Sequence, residues 1–133
     1  MAIHFEEVSP EGIRESRPSS YHPKARYFRA VRDGKPLCVY GVIGRTETAG
    51  EAFLILDTLR GRVFGKGLLT ALVAHGGSLG YGEVWTWTEW DRLIKVLGRF
   101  RSLGVERATA PPPWEASRIP PKPWFVKRLK KED

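Results

Sequence analysis

Apolar and polar residues alternate from Ile3 to Val8, a pattern that predicts a first strand. Ser9-Pro10-Glu11 then reads as a helix start, with Ser9 as the cap and Pro10 at the first helical position. Two prolines and two serines between Arg17 and Pro23 suit neither a helix nor a ladder, so this stretch is a loop. Two β-rich runs, Arg26–Arg32 and Pro36–Ile43, flank Asp33-Gly34. That pair supplies the positive φ angles of a tight hairpin turn, and the two strands are expected to pair antiparallel. A second turn over Thr46–Gly50 leads into Glu51–Leu59, a largely apolar run expected to be a strand buried on both faces.

In the second half, Leu68, Leu69, Leu72 and Val73 recur at helical spacing until Gly76-Gly77 ends the pattern. Glu83–Thr88 alternates and predicts another strand. Thr88-Glu89-Trp90-Asp91 resembles a capping box with Asp at its last position. After it, Leu93, Val96, Leu97, Phe100 and Leu103 form one apolar stripe of a helix, with Arg92, Lys95 and Arg99 on a separate basic face. That basic face is either a solvated helix surface or a binding site. Val105–Ala110 reads as a short strand. The proline-rich run Pro111–Pro123 cannot sit inside a sheet and is expected to be extended. Pro123–Leu129 reads as a return strand and Lys130–Asp133 as a frayed end. The organisation is then one domain over residues 1–110, followed by a proline- and tryptophan-rich extension with a basic tail over 111–133.

Composition narrows the class. A chain of 133 residues, 41% hydrophobic and 28% charged, has the profile of one globular domain. No apolar run reaches the roughly 20 residues of a membrane span, and the first residues lack the basic and apolar regions of a signal peptide. A cytoplasmic protein is expected. The single Cys38 excludes an internal disulfide framework and cannot make a zinc site alone, so no metal is expected. Its place in an apolar strand makes it a buried structural thiol. The net charge of +7 attracts polyanions, whether phosphorylated cofactors, acidic protein patches or nucleic acid.

The chemistry concentrates in one turn. Arg62-Val63-Phe64-Gly65-Lys66-Gly67 lies between a predicted strand and a predicted helix. Glycines let the backbone approach a ligand closely. The first free amides of the helix point outward, and the positive end of the helix dipole adds to them. Such a turn suits a pyrophosphate, with Arg60, Arg62 and Lys66 adding charge. It is neither a P-loop nor a dinucleotide fingerprint, and the antiparallel strands before it exclude a doubly wound parallel sheet.

Here the chain resembles the GNAT (Gcn5-related N-acetyltransferase) superfamily. The likeness rests on the order of elements from Ile3 to Ala110 and on two short segments. The first is the Arg/Gln-x-x-Gly-x-Gly turn, Arg62 to Gly67, followed by Leu68-Leu69. The second, Phe100-Arg101-Ser102-Leu103-Gly104-Val105, stands where members carry a pattern like Tyr-x-x-Leu-Gly-Phe. The resemblance implies an α/β (α+β) fold with a mixed, mostly antiparallel central sheet flanked by helices. It also implies acyl-CoA binding, acetyl-CoA above all, and transfer of the acyl group to an amine. By position, the amides of Val63, Phe64, Gly65, Lys66, Gly67 and Leu68, with Arg62, would hold the pyrophosphate. Leu56 and Asp57 would line the pantetheine between two splayed strands. Many members protonate the departing thiolate with a Tyr on the late helix. Phe100 stands there and has no proton to give, which leaves open whether the chain is an enzyme.

Proton abstraction from the amine needs a base, and the candidates are Glu51, Asp57 and Glu89, each of which reads first as an ordinary surface or capping carboxylate. His75 reads as a helix-surface residue, while His4 and His22 lack the partners of a triad or metal site. Alternation puts Trp85 and Trp87 on one face of their strand, expected to pack as core beneath a helix. Trp114 or Trp124 is expected to form a surface for a protein partner.

Three functions fit. The first is an acyl-CoA-dependent N-acyltransferase. The second is a scaffold that has lost the chemistry, similar to small GNAT-like proteins of tailed phages. It would dock through its basic and Trp-rich surfaces on an acidic partner in the host cytoplasm, such as the transcription machinery. The third is nucleic-acid binding through Arg92, Lys95, Arg99 and the tail from Lys127, for which no recognition motif is present.

Overall fold

Asp33 and Gly34 adopt φ angles of 53° and 74°, the left-handed pair that a two-residue hairpin turn demands. They join β2 (Ala25–Arg32) to β3 (Lys35–Gly44), paired antiparallel with Arg32 opposite Lys35. The structure, a computed structural model, describes residues 2–55, 67–115 and 123–128. Within them β1 (His4–Val8) pairs with β2, and β4 (Ala49–Leu54) pairs with β3, both antiparallel. β5 (Glu83–Trp87) lies parallel to β4, the parallel pairing in an otherwise antiparallel sheet. β6 (Val105–Arg107) and β7 (Trp124–Arg128) complete seven strands in the order β1-β2-β3-β4-β5-β7-β6. The last strand thus inserts between β5 and β6, antiparallel to both.

Helices cover both faces. The short α1 (Pro10–Ser16) buries Ile13 against Tyr27, Val39, Ile43 and Ile55 on one face. Ser9 stands at its N-cap, but its hydroxyl makes no capping bond, and Pro10 begins the helix as expected. On the other face, α2 (Leu68–Gly77) and α3 (Asp91–Leu97) bury Leu68, Leu69, Leu72, Leu93 and Leu97 over Phe28, Cys38, Tyr40 and Phe125. Burial pushes the Cys38 thiol up to about 11, so it stays a protonated core group.

Several expectations change. β4 is fully buried only from Ala49 to Glu51, because Ala52–Leu54 border a gap in the sheet and are half-buried. The apolar stripe from Leu93 to Leu103 spans two elements: α3 ends at Leu97 with Gly98 at its C-cap, and Phe100–Leu103 forms a 3-10 turn. Glycine's freedom at that point disfavours continued helix. Thr88 makes no capping box. Its hydroxyl accepts the Trp90 N–H two residues on (3.1 Å), and helix begins only at Asp91.

Gly41 is required by packing. The Phe53 ring crosses over it to reach Tyr27 edge-on, with centroids 6.0 Å apart. A Cβ at position 41 would lie 2.4 Å from Phe53 Cζ. Gly41→Ala is expected to cost about 1–3 kcal/mol by overpacking, read as a lower denaturation midpoint. Adding Phe53→Leu is expected to recover part of that loss.

Candidate functional site

β4 and β5 stay paired for three rungs, Ala49–Glu83, Gly50–Val84 and Glu51–Trp85. Beyond them the strands part, and the Thr86 hydroxyl bridges the opening by donating to the Ala52 carbonyl at 2.9 Å. Backbone direction alternates along a strand. The Ile55 N–H is spent on the Val39 carbonyl (3.1 Å), so the amide and carbonyl of Leu54 turn toward the gap. A cavity of about 100 Å³ lies here, walled largely by apolar groups including Ala52, Leu54, Leu72, Val84 and Leu97. A gap of this kind exposes strand edge in an apolar setting, a place for an extended chain with amides of its own.

The helix that follows the predicted phosphate turn begins beside this gap. Gly67 is its N-cap, with φ 77° and open space where a Cβ would sit. The first helical bond runs from Ala71 N–H to the Gly67 carbonyl (2.9 Å), which leaves the amides of Leu68, Leu69 and Thr70 ahead of the ladder. Leu56, Asp57, Arg60, Arg62, Val63, Phe64, Gly65 and Lys66 lie outside the described residues. Of the predicted phosphate-binding set, Gly67 and Leu68 are described, and both stand at the helix N-terminus.

On the opposite face of the last rung sits Glu51, a charged residue only 8% exposed. Its Oε1 accepts from Arg45 Nη2 (3.1 Å), Arg45 Nε (3.3 Å) and the Trp114 indole N–H (3.2 Å). Among the described residues, its Oε2 receives only the 3.4 Å contact of Arg45 Nη2. The Arg45 guanidinium lies 6.0 Å from the Trp114 ring centroid. Nearby, burial first and then the Arg45 charge hold His22 below its usual range. Glu89, by contrast, is exposed in the turn after β5. Glu51 and Glu89 therefore occupy different settings, one fixed by three donors at the splay and one in solvent.

The tryptophans are arranged differently from expectation. Trp85 is buried (5%) in an edge-to-face cluster with Trp124 (6.1 Å) and Trp114 (6.1 Å), on the sheet face away from α2 and α3. Trp87, on the same strand face, is 37% exposed because the pairing with β4 has already ended there. Trp124 is core and so is not the partner surface expected of it, and Trp114 is half-buried against it. Trp90 is exposed at 39%. The signal missed was at residues 111–115, where Trp114 meets Glu51.

His75 is likewise no surface residue. Its ring stacks on Phe5 (4.0 Å) and meets Phe28 edge-on (4.7 Å), and Nδ1 hydrogen-bonds Tyr40 Oη. Burial, with Arg26 nearby, holds His75 below the usual imidazole range, while burial pushes Tyr40 upward, with Cys38 adding to it. The fold thus prefers neutral His75. Below pH ~6.5 the unfolded chain takes up a proton that the folded chain resists, so stability is expected to fall as the pH falls through that window. His22 is shifted in the same direction. Denaturation midpoints between pH 7.5 and 5 check this, and His75→Phe is expected to flatten the slope.

Phe100 opens the 3-10 turn and packs half-buried against the helix-side core. Among the described residues, no group of three His, Cys, Asp or Glu is placed to hold a metal, and no helix is long and apolar enough to cross a membrane.

No family model and no curated protein matches the sequence. Solved structures do match in fold. An IAA acetyltransferase from Bacillus cereus superposes with a TM-score of 0.67 at 15% identity, over 96% of this chain and 100% of that one. A GNAT-family acetyltransferase from Staphylococcus aureus gives 0.59 at 13%, over 97% and 100%. The Campylobacter jejuni N-acetyltransferase PseH in complex with acetyl coenzyme A gives 0.57 at 12%, over 97% and 100%. The splayed pair β4–β5, the glycine-led α2 and these superpositions agree: the chain has the GNAT acetyltransferase fold.

Proposed function

We propose that this protein is an N-acyltransferase that takes an acetyl group from acetyl-CoA to an amine. The observation that carries the reading is the parting of β4 and β5 after Glu51–Trp85. The residues there fit such a ligand. Leu54 turns its backbone into the gap, the apolar walls suit a pantetheine arm, and the amides of Leu68–Thr70 suit a pyrophosphate. By position Leu56, Asp57 and Arg62 to Lys66 would complete the hold. When bound, acetyl-CoA supplies an activated thioester. Glu51 is the favoured base, because its fixed carboxylate lies at the last rung with Oε2 less engaged than Oε1. Asp57 and Glu89 are its alternatives. Phe100 gives no proton to the leaving sulfur.

Calorimetric titration with acetyl-CoA tests the reading. Binding below about 1 mM is expected, the usual range for such substrates, and no heat at that concentration overturns it.

One observation favours a second reading. Phe100 leaves the position usual for a proton donor without one, as in a protein that keeps the cofactor groove but works by docking on an acidic partner. Exposed Arg92, Lys95 and Arg99 would then face that partner. Acetyl-CoA binding without coenzyme A release across a panel of amines, together with one stoichiometric partner from a lysate, would favour it.

A further inference from the structure

We propose that Trp114 is a positioning residue for Glu51, a role that rests on the acyltransferase reading above. The short bonds to the carboxylate from Arg45 and Trp114 converge on Oε1, at 3.1 to 3.3 Å. Among the described residues, Oε2 keeps only the 3.4 Å contact. Three donors from two side chains fix the carboxylate through Oε1, and Oε2, the less engaged oxygen, is the one assigned to proton transfer in this proposal. Arg45 alone would not fix it, since its side chain is 30% exposed and has a flexible stem. The indole is far more constrained. It stands edge-on to Trp85 (6.1 Å) and Trp124 (6.3 Å), and both of those side chains are buried. Trp85 is itself the rung partner of Glu51. The Trp114 N–H is therefore aimed at Oε1 by rings on β5 and β7, and β5 is one of the two strands whose parting makes the groove. Preorganisation of this kind matters because loss of about 1 Å in placement costs much of the rate.

The test is a double-mutant cycle on coenzyme A release, using Trp114→Phe and Glu51→Gln. Trp114→Phe keeps an aromatic ring and removes the donor. It is expected to lower kcat roughly tenfold or more, with KM for acetyl-CoA unchanged. In the Glu51→Gln background it is expected to have almost no further effect, because it acts through Glu51. Equal losses in both backgrounds, or an unaltered kcat, overturn the positioning role. If Trp114→Phe does not fold, benzothienylalanine at position 114 keeps the bicyclic ring, lacks the N–H and takes its place in the same cycle. A folded wild type that releases no coenzyme A from acetyl-CoA with any amine overturns the acyltransferase reading itself, and the positioning role with it.

Discussion

Replacing Glu51 with glutamine is expected to lower turnover by roughly 10²- to 10⁴-fold, the range lost when a general base is removed, while acetyl-CoA affinity stays unchanged. Glutamine is nearly isosteric. Its carbonyl can still accept from Arg45 and from the Trp114 indole, so the packing at the last rung is preserved. What it cannot do is take a proton from an amine. Acetyl-CoA affinity is spared because the proposed hold runs through Leu54, the apolar walls and the α2 amides, none of which is a partner of Glu51. Steady-state release of coenzyme A, with calorimetric affinity measured on the same variant, separates the two effects. A loss smaller than tenfold would make Glu51 a structural carboxylate and move the search for a base to Asp57 and Glu89.

Local chemistry made much of the scaffold readable from sequence. Asp33-Gly34 names its own turn, because few other pairs tolerate two positive φ angles. Leu68, Leu69 and Leu72 name their helix by spacing, and Pro10 names the start of α1. What could not be read depends on pairings between distant residues. Nothing local says that Trp124–Arg128 inserts between β5 and β6, or that this brings Trp124 onto Trp85. Alternation placed Trp85 and Trp87 on one face correctly, but it cannot say where a neighbouring strand departs. That departure leaves Trp85 buried and Trp87 open to solvent. The same limit hid the setting of Glu51. A carboxylate in an apolar strand is visible, whereas its partners Arg45, six residues back, and Trp114, sixty-three ahead, are a product of the fold. His75 was misread because its helix carries apolar residues on more than one side, and the aromatic shell of Phe5, Phe28 and Tyr40 comes from three different strands.

Trp124 tests how far the last strand holds the sheet together. It is 3% exposed, it opposes Trp87 on β5, and its ring stands edge-on to both Trp85 and Trp114. Trp124→Ala removes a large buried side chain from that cluster and is expected to cost about 3–5 kcal/mol. For a domain of this size that is on the order of 10–20 °C in melting temperature. The indole nitrogen is the informative detail. Trp124 Nε1 is buried and finds no hydrogen-bond partner among the described residues, so its N–H is a desolvated donor that contributes nothing in return. Trp124→Phe is therefore expected to recover more than half of the alanine loss, since it keeps aromatic packing and deletes an unsatisfied group. The same change at Trp114 removes a donor that Glu51 uses. Thermal melts and coenzyme A release on the two phenylalanine variants should then separate in opposite senses. Trp124→Phe is expected to lose some stability and little turnover, and Trp114→Phe to lose turnover out of proportion to stability. Matching losses in both measurements would mean that the cluster acts only as packing, with no division of labour between the tryptophan that builds the sheet and the one that holds the carboxylate.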